Sequence, residues 1–111
     1  MAQDLFRGGI SAAGSVLFSD PAGSHYSVTR LSAGVYEVIL DQMRPPAEVW
    51  AHVAAQREAG DATDISSGAP EYTTHTDGMG TQRCGVICRF YERNTANARD
   101  CRFGLVVQAP V

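Results

Sequence analysis

Lysine is absent from this sequence: all nine basic residues are arginine. They face twelve acidic residues, for a formal charge of -3, and that balance argues against nucleic acid as the main partner, which would call for a basic footprint. Long apolar runs are missing too. No window reaches the ~18 unbroken apolar residues of a membrane span, so no membrane partner is expected. The opening stretch MAQDLFRGG has a lone arginine, no apolar core, and Asp4 where a secretion signal carries positive charge. Folding in a cytosol is the expectation.

Cysteine is scarce and odd in number, with Cys84, Cys88 and Cys101. On a strand, residues four apart are separated by about 13 Å, too far for Cys84 and Cys88 to share one zinc. The thiols read as buried small hydrophobes. His25, His52 and His75 are scattered, no serine sits in a nucleophile-elbow pattern, and no glycine-rich phosphate loop leads into a helix. His75 and Asp77 could share a strand face and ligate an ion, but two candidate ligands make a weak signal, and an exposed polar strand end is the plainer reading. Trp50 reads as a core or interface anchor. No convergent set of polar groups is visible, so no enzyme, catalytic residue, metal or cofactor is expected.

What the sequence does have is alternation. At 111 residues it is expected to form one domain, spanning 1–111. In SVTRLSAGVYEVIL (27–40) two strand-like runs flank a small-residue turn. A three-residue loop, Ser32-Ala33-Gly34, puts Gly34 where positive φ is needed. It pairs Leu31 with Val35, Arg30 with Tyr36, Val28 with Val38 and Tyr26 with Leu40. A two-residue loop, Ala33-Gly34, would pair Arg30 with Glu37 but leave neither face apolar, and burial decides register. The three-residue loop is therefore expected, with Tyr26, Val28, Tyr36, Val38 and Leu40 facing inward.

Near the carboxyl end, Cys84, Val86, Cys88 and Phe90 share one face; so do Cys101, Phe103, Leu105 and Val107. With the polar ERNTANARD between them, these runs read as a second hairpin. Upstream, ISAAGSVLF (10–18) reads as a strand interrupted at Gly14, followed by a turn at Asp20-Pro21-Ala22-Gly23, and EYTTHT (71–76) as a further strand. PPAEVWAHVAAQREAG (45–60) is ambiguous. Its propensity favours helix, yet as a strand it would turn Val49, Ala51, Val53 and Ala55 to one face, and a sandwich would absorb it readily. The strand is preferred and the helix stays open. Residues 57–70 are expected to form a flexible polar loop. The sum is an all-β antiparallel sandwich.

Charge is unevenly spread. Residues 37–77 carry eight acids against Arg44 and Arg57, a net of -6, while residues 83–102 carry five arginines against Glu92 and Asp100, a net of +3. Arginine suits interfaces where lysine does not, so complementary faces on neighbouring copies are one reading; solvated charge is the other.

The 27–40 run, following a strand with a glycine and an Asp-Pro turn, resembles a recurrent stretch in small jelly-roll domains of tailed-phage virion proteins, which look like the trimeric tumour-necrosis-factor and complement-globular-head architecture. Residues 100–107, an acidic residue followed by a Phe-led alternating run, are similar to their last strand. The resemblance covers roughly 10–56 and 82–109. It implies a jelly-roll homotrimer on the virion surface, synthesised in the bacterial host cytoplasm. The implied role is capsid decoration, with a major capsid protein as partner, or alternatively a receptor- or glycan-binding tail-fibre tip. Without heptads, repeats or room for a shaft, capsid decoration is preferred. The contacts are then expected from Arg83, Arg89 and Arg102 of the basic hairpin and from the uncovered apolar positions Leu31, Val35, Ile39, Ile87, Tyr91 and Val106.

Overall fold

The structure, a computed structural model, describes residues 2–56 and 64–110. The described residues form two antiparallel sheets packed as a sandwich. One sheet has the order β2-β1-β9-β5, from β1 (Ala2–Ile10), β2 (Val16–Asp20), β5 (Trp50–Gln56) and β9 (Arg102–Pro110). The other has the order β3-β4-β8, from β3 (Tyr26–Ser32), β4 (Val35–Leu40) and β8 (Gln82–Glu92). Its far edge is shared by β6 (Ile65–Ser67) and β7 (Glu71–Thr76), which pair with opposite halves of β8. No helix of the structure is long and apolar enough to cross a membrane.

Alternation explains the core. Tyr36, Val38, Leu40, Cys84, Val86, Cys88 and Phe90 from one sheet meet Phe6, Ile10, Ala51, Phe103, Leu105 and Val107 from the other, all buried. Side chains at i and i+2 share a face of a strand, so each of these runs buries every second residue. The segment 45–60 becomes a strand from Trp50: Pro46–Glu48 forms one 3-10 turn, Val49 is buried at its end, and β5 follows with Ala51 inward and Trp50, His52 and Gln56 outward. Tertiary pairing with β9 along all seven residues overrides the helical propensity of its alanines. EYTTHT is β7 as expected. Of the expected polar loop, 57–63 lies outside the described residues, while Ile65–Ser67 is tied to β8.

Three expectations need correction. The strand proposed at 10–18 is a hairpin: β1 ends at Ile10, the chain turns at 11–15 with Gly14 at φ +91, and β2 begins at Val16. The carboxyl-terminal pair is not a hairpin. β8 and β9 lie in different sheets, and residues 93–101 carry the chain across the sandwich as an arch. Both strands bury their apolar faces, but against each other across the core rather than side by side. In the opening hairpin the expected pairs Arg30–Tyr36, Val28–Val38 and Tyr26–Leu40 are present, but Ser32, not Leu31, stands opposite Val35. Leu31 is the extra residue of a bulge, so a short turn coexists with the register that burial demands.

β1 was not anticipated, because Gly8-Gly9 looks like a breaker. The glycines are spaces for aromatic rings: a Cβ at Gly8 would collide with the Tyr26 ring, and one at Gly9 with the Phe18 ring. Tyr26 Oη, lying over Gly8, donates to Phe18 O at 3.1 Å, and Tyr36 Oη donates to Ala12 O at 2.7 Å. Two buried rings thus satisfy their polar tips on the β1–β2 hairpin.

The arch is locked to the β3–β4 turn by Asp100. Its carboxylate accepts from Gly34 N at 2.7 Å and from Arg30 Nε at 3.0 and 3.1 Å. The Arg30 hydrogen bond, then the Gly34 N–H, hold this carboxyl below the usual range despite partial burial. A lowered folded-state pKa gives stability that is present above the unfolded carboxyl value, ~3.9, and is lost as pH falls through the folded value. Asp100→Asn should therefore cost about 1–2 kcal/mol at pH 7, the partly exposed ion pair adding little. The gap between variant and parent should shrink below about pH 4. Urea unfolding at pH 7 and pH 3 checks this; an equal gap at both would contradict it.

Candidate functional site

The sandwich leaves two outer sheet faces, and the expected contact residues divide between them. Val35, Ile39, Ile87 and Tyr91 are half-buried on the outer face of the β3-β4-β8 sheet, with Leu31 51% exposed at the bulge beside them. Cross-strand pairing sets Val35 beside Arg89 and Glu37 beside Ile87. Arg83 and Arg89 lie on this face, but Arg102 belongs to β9, in the opposite sheet, where it pairs with Gln56. With the hairpin replaced by an arch, the three arginines cannot act as one basic patch. Arg89 Nη1 already meets Glu71 Oε2 at 3.0 Å within the chain. Being exposed, that pair is worth little to stability and remains available for exchange with a partner's carboxylate.

The outer face of the β2-β1-β9-β5 sheet is sparser. Phe18, Gly9, Gly104 and Ala54 stand in register across its four strands. The Phe18 ring covers Gly9, and beside it Gly104 and Ala54 lie in the floor of an open trough of about 490 Å³, bordered by Phe18, Arg7, Asp20, His52 and Val106. On β2, Val16, Leu17 and Phe18 are consecutive and exposed, Phe18 by 57%, and Trp50 at the other edge of the sheet is 50% exposed. The register shift at Gly9/Ile10 makes Leu17 the extra residue of an edge bulge, a device that blunts strand-to-strand pairing while leaving its side chain outside. Sequence reasoning missed β2 as a surface feature. The available signal was three apolar residues in a row, a pattern that cannot be buried on one face of a strand.

Among the described residues no group of three or more His, Cys, Asp or Glu side chains gathers as a metal site. A small recess of about 50 Å³ lies between Phe6, Ser24, His25 and Leu40. His25 is held there by stacking on Phe6 and by a 2.8 Å contact of Nε2 with Pro21 O. Burial pushes the thiols of Cys84 and Cys101 up to about 11 and that of Cys88 up to about 12. The Tyr36 phenol is also pushed up to about 12, by burial first and by the Asp100 charge second. All four groups stay protonated and unreactive at neutral pH. Iodoacetamide should accordingly leave all three cysteines unlabelled in the native protein and label them after unfolding; native labelling of Cys88 would contradict this burial.

The Asp77 carboxylate does not join His75 at an ion site. It caps its own turn, accepting from Met79 N at 2.8 Å and Thr81 N at 3.0 Å. His75 instead reaches Glu37, with Nε2 3.0 Å from Oε2. No family model, curated protein or solved structure matches the chain.

Proposed function

We propose that the protein is a virion structural subunit whose work is association: a jelly-roll homotrimer that decorates a phage capsid and cements its outer shell. One observation carries the association. A chain with a complete internal core still leaves Val16, Leu17, Phe18, Leu31 and Trp50 exposed. Val16, Leu17 and Phe18 adjoin one another on β2, and contiguous exposed apolar surface supports a contact site. The nesting of the pairings, with β1 beside β9 in one sheet and β4 beside β8 in the other, supports the jelly-roll reading. The capsid rests on the resemblance of residues 27–40 and 100–107 to small virion jelly rolls. A closed threefold assembly would suit local threefold points of a shell.

In this reading Val35, Ile39 and Ile87, framed by Arg83 and Arg89, form one contact surface, and the β2 edge forms another. Arg102 contributes on the opposite sheet. Arginine–carboxylate pairs would fix register more than they add affinity. Purifying virions and counting the chain against the major shell protein tests the proposal. Copies in simple stoichiometry with the shell subunit support it, and absence from particles overturns it.

A second reading, a receptor- or glycan-binding fibre tip, draws on the trough, where an exposed aromatic ring adjoins Arg7, Asp20 and His52. A few copies per particle, confined to the tail, would favour that reading over cementing.

A further inference from the structure

Arg7, Arg30, Arg44, Arg89 and Arg99 each lie within 4.0 Å of a carboxylate of their own chain. Arg83 does not. It is half-buried on the outer face of the β3-β4-β8 sheet, and its guanidinium makes no hydrogen bond or ion pair among the described residues, with Nε shut off from water and unbonded. Asp77 feels its charge, but Asp77 Oδ1 is taken by Met79 N and Thr81 N. His75, opposite Arg83 in the ladder, turns to Glu37 instead. A guanidinium desolvated without an acceptor is costly, and a carboxylate brought by a partner offsets the cost. The other sheet carries such a carboxylate. Asp20 ends β2, exposed and without an ion pair among the described residues, while Arg7 across from it is bonded to Asp4. Just before Asp20 stand Val16, Leu17 and Phe18, all exposed.

We infer that the β2 edge of one copy docks on the outer face of the β3-β4-β8 sheet of a second copy, pairing Asp20 with Arg83 and seating Phe18 on Ile39. The contact rests on the association reading above and names its partner. Spacing supports the match. Phe18 and Asp20 are two residues apart on one face of β2, so about 7 Å separates them along the strand. Arg83 is two residues from Gly85, the β8 position beside Ile39, so Ile39 and Arg83 are offset by the same length. Laying Asp20 on Arg83 therefore brings the Phe18 ring to Ile39, with Ile87 and Val35 further along that face. Each copy offers two different patches, an apolar strip ending in an acid and one ending in a cation. Contact is then head to tail, and a head-to-tail contact whose rotation closes after three copies makes a ring. Two β2 edges together, or two of the opposite faces together, would bring like charges onto one patch, which disfavours both pairings. The apolar strips supply the driving force, and the ion pair fixes register.

The test is a charge swap read by sedimentation of the purified full chain over a range of concentrations, with circular dichroism to confirm folding. The parent should assemble as a trimer. Arg83→Glu and Asp20→Arg should each raise the concentration needed for assembly by at least about tenfold, since each sets like charges against one another. The double variant, with the pair reversed, should assemble as the parent does. Phe18→Ala should weaken assembly, whereas Trp50→Ala, at the far edge of the same sheet, should leave it unchanged. A monomeric or dimeric parent would overturn the contact, and so would a folded single-reversal variant that assembles as the parent does or a double variant that regains nothing. None of these results depends on the virion. A monomeric chain present on particles in shell stoichiometry would remove this contact and leave decoration standing.

Discussion

Gly34→Ala should be among the most damaging single-atom-scale changes in the chain, lowering stability by about 2–5 kcal/mol through backbone strain and overpacking together. Gly34 sits at φ +69 in the turn between β3 and β4. A side chain in that left-handed region costs about 1–2 kcal/mol. The new methyl would also stand 2.5 Å from Phe90 O, 2.7 Å from Arg99 N and 2.9 Å from Arg99 O. These are backbone atoms of β8 and of the arch, which no rotamer change can move aside. Gly34 O accepts from Phe90 N at 2.8 Å, and its own N–H donates to Asp100, so relaxing the clash would break both ties. Thermal unfolding should move down by about 10 °C or more. A shift within a degree or two of the parent would mean the turn does not lock to the arch.

Phe103→Ala should cost about 3–5 kcal/mol, a large share of the stability of an ordinary domain. Phe103 is fully buried on β9, and its ring centroid lies 4.7 Å from that of Phe90 and 5.1 Å from that of Tyr36. Those two rings belong to the opposite sheet, so this cluster is where the sandwich closes. Removing one ring forfeits its transfer free energy and leaves a cavity bounded by two aromatics that have few other positions to adopt. Phe103→Leu, which refills part of the volume, should recover much of the loss. Chemical denaturation measures both; equal midpoints for Ala and Leu would show that volume at this point is not what holds the sheets together.

The legibility of the fold followed the strength of its periodicity. Alternating runs such as Tyr36–Leu40 and Cys84–Phe90 disclosed both strand and inward face, because one buried side leaves a two-residue signature. The same runs could not disclose their partners. By that criterion alone, two strands with matching apolar faces are equally neighbours in one sheet or opponents across the core, and β8 and β9 are opponents. The deciding feature is the arch, whose length and Asp100 contact to Gly34 have no periodicity to read. β1 was hidden for a different reason. Its glycines make room for the rings of Tyr26 and Phe18, residues outside β1 itself, so the local composition imitates a loop. At the candidate surfaces, Leu31, Val35, Ile39 and Ile87 were legible as outward positions. The Glu37–His75 contact was not, since it depends on β4 and β7 flanking β8, a pairing fixed by long-range topology.

The central claim is that uncovered sheet surface exists to bind and stabilise a shell. It is tested most directly by heating virions that carry the protein beside virions from which its gene has been deleted, and recording the temperature at which the capsid opens and releases its genome. On this proposal the subunit binds only the assembled shell, so its presence should shift the balance towards that state. Particles lacking it should open at lower temperature, and adding back purified protein should restore the parent value. Identical opening temperatures, with adsorption to host cells lost in the deletion, would contradict cementing and assign the exposed surfaces to receptor binding.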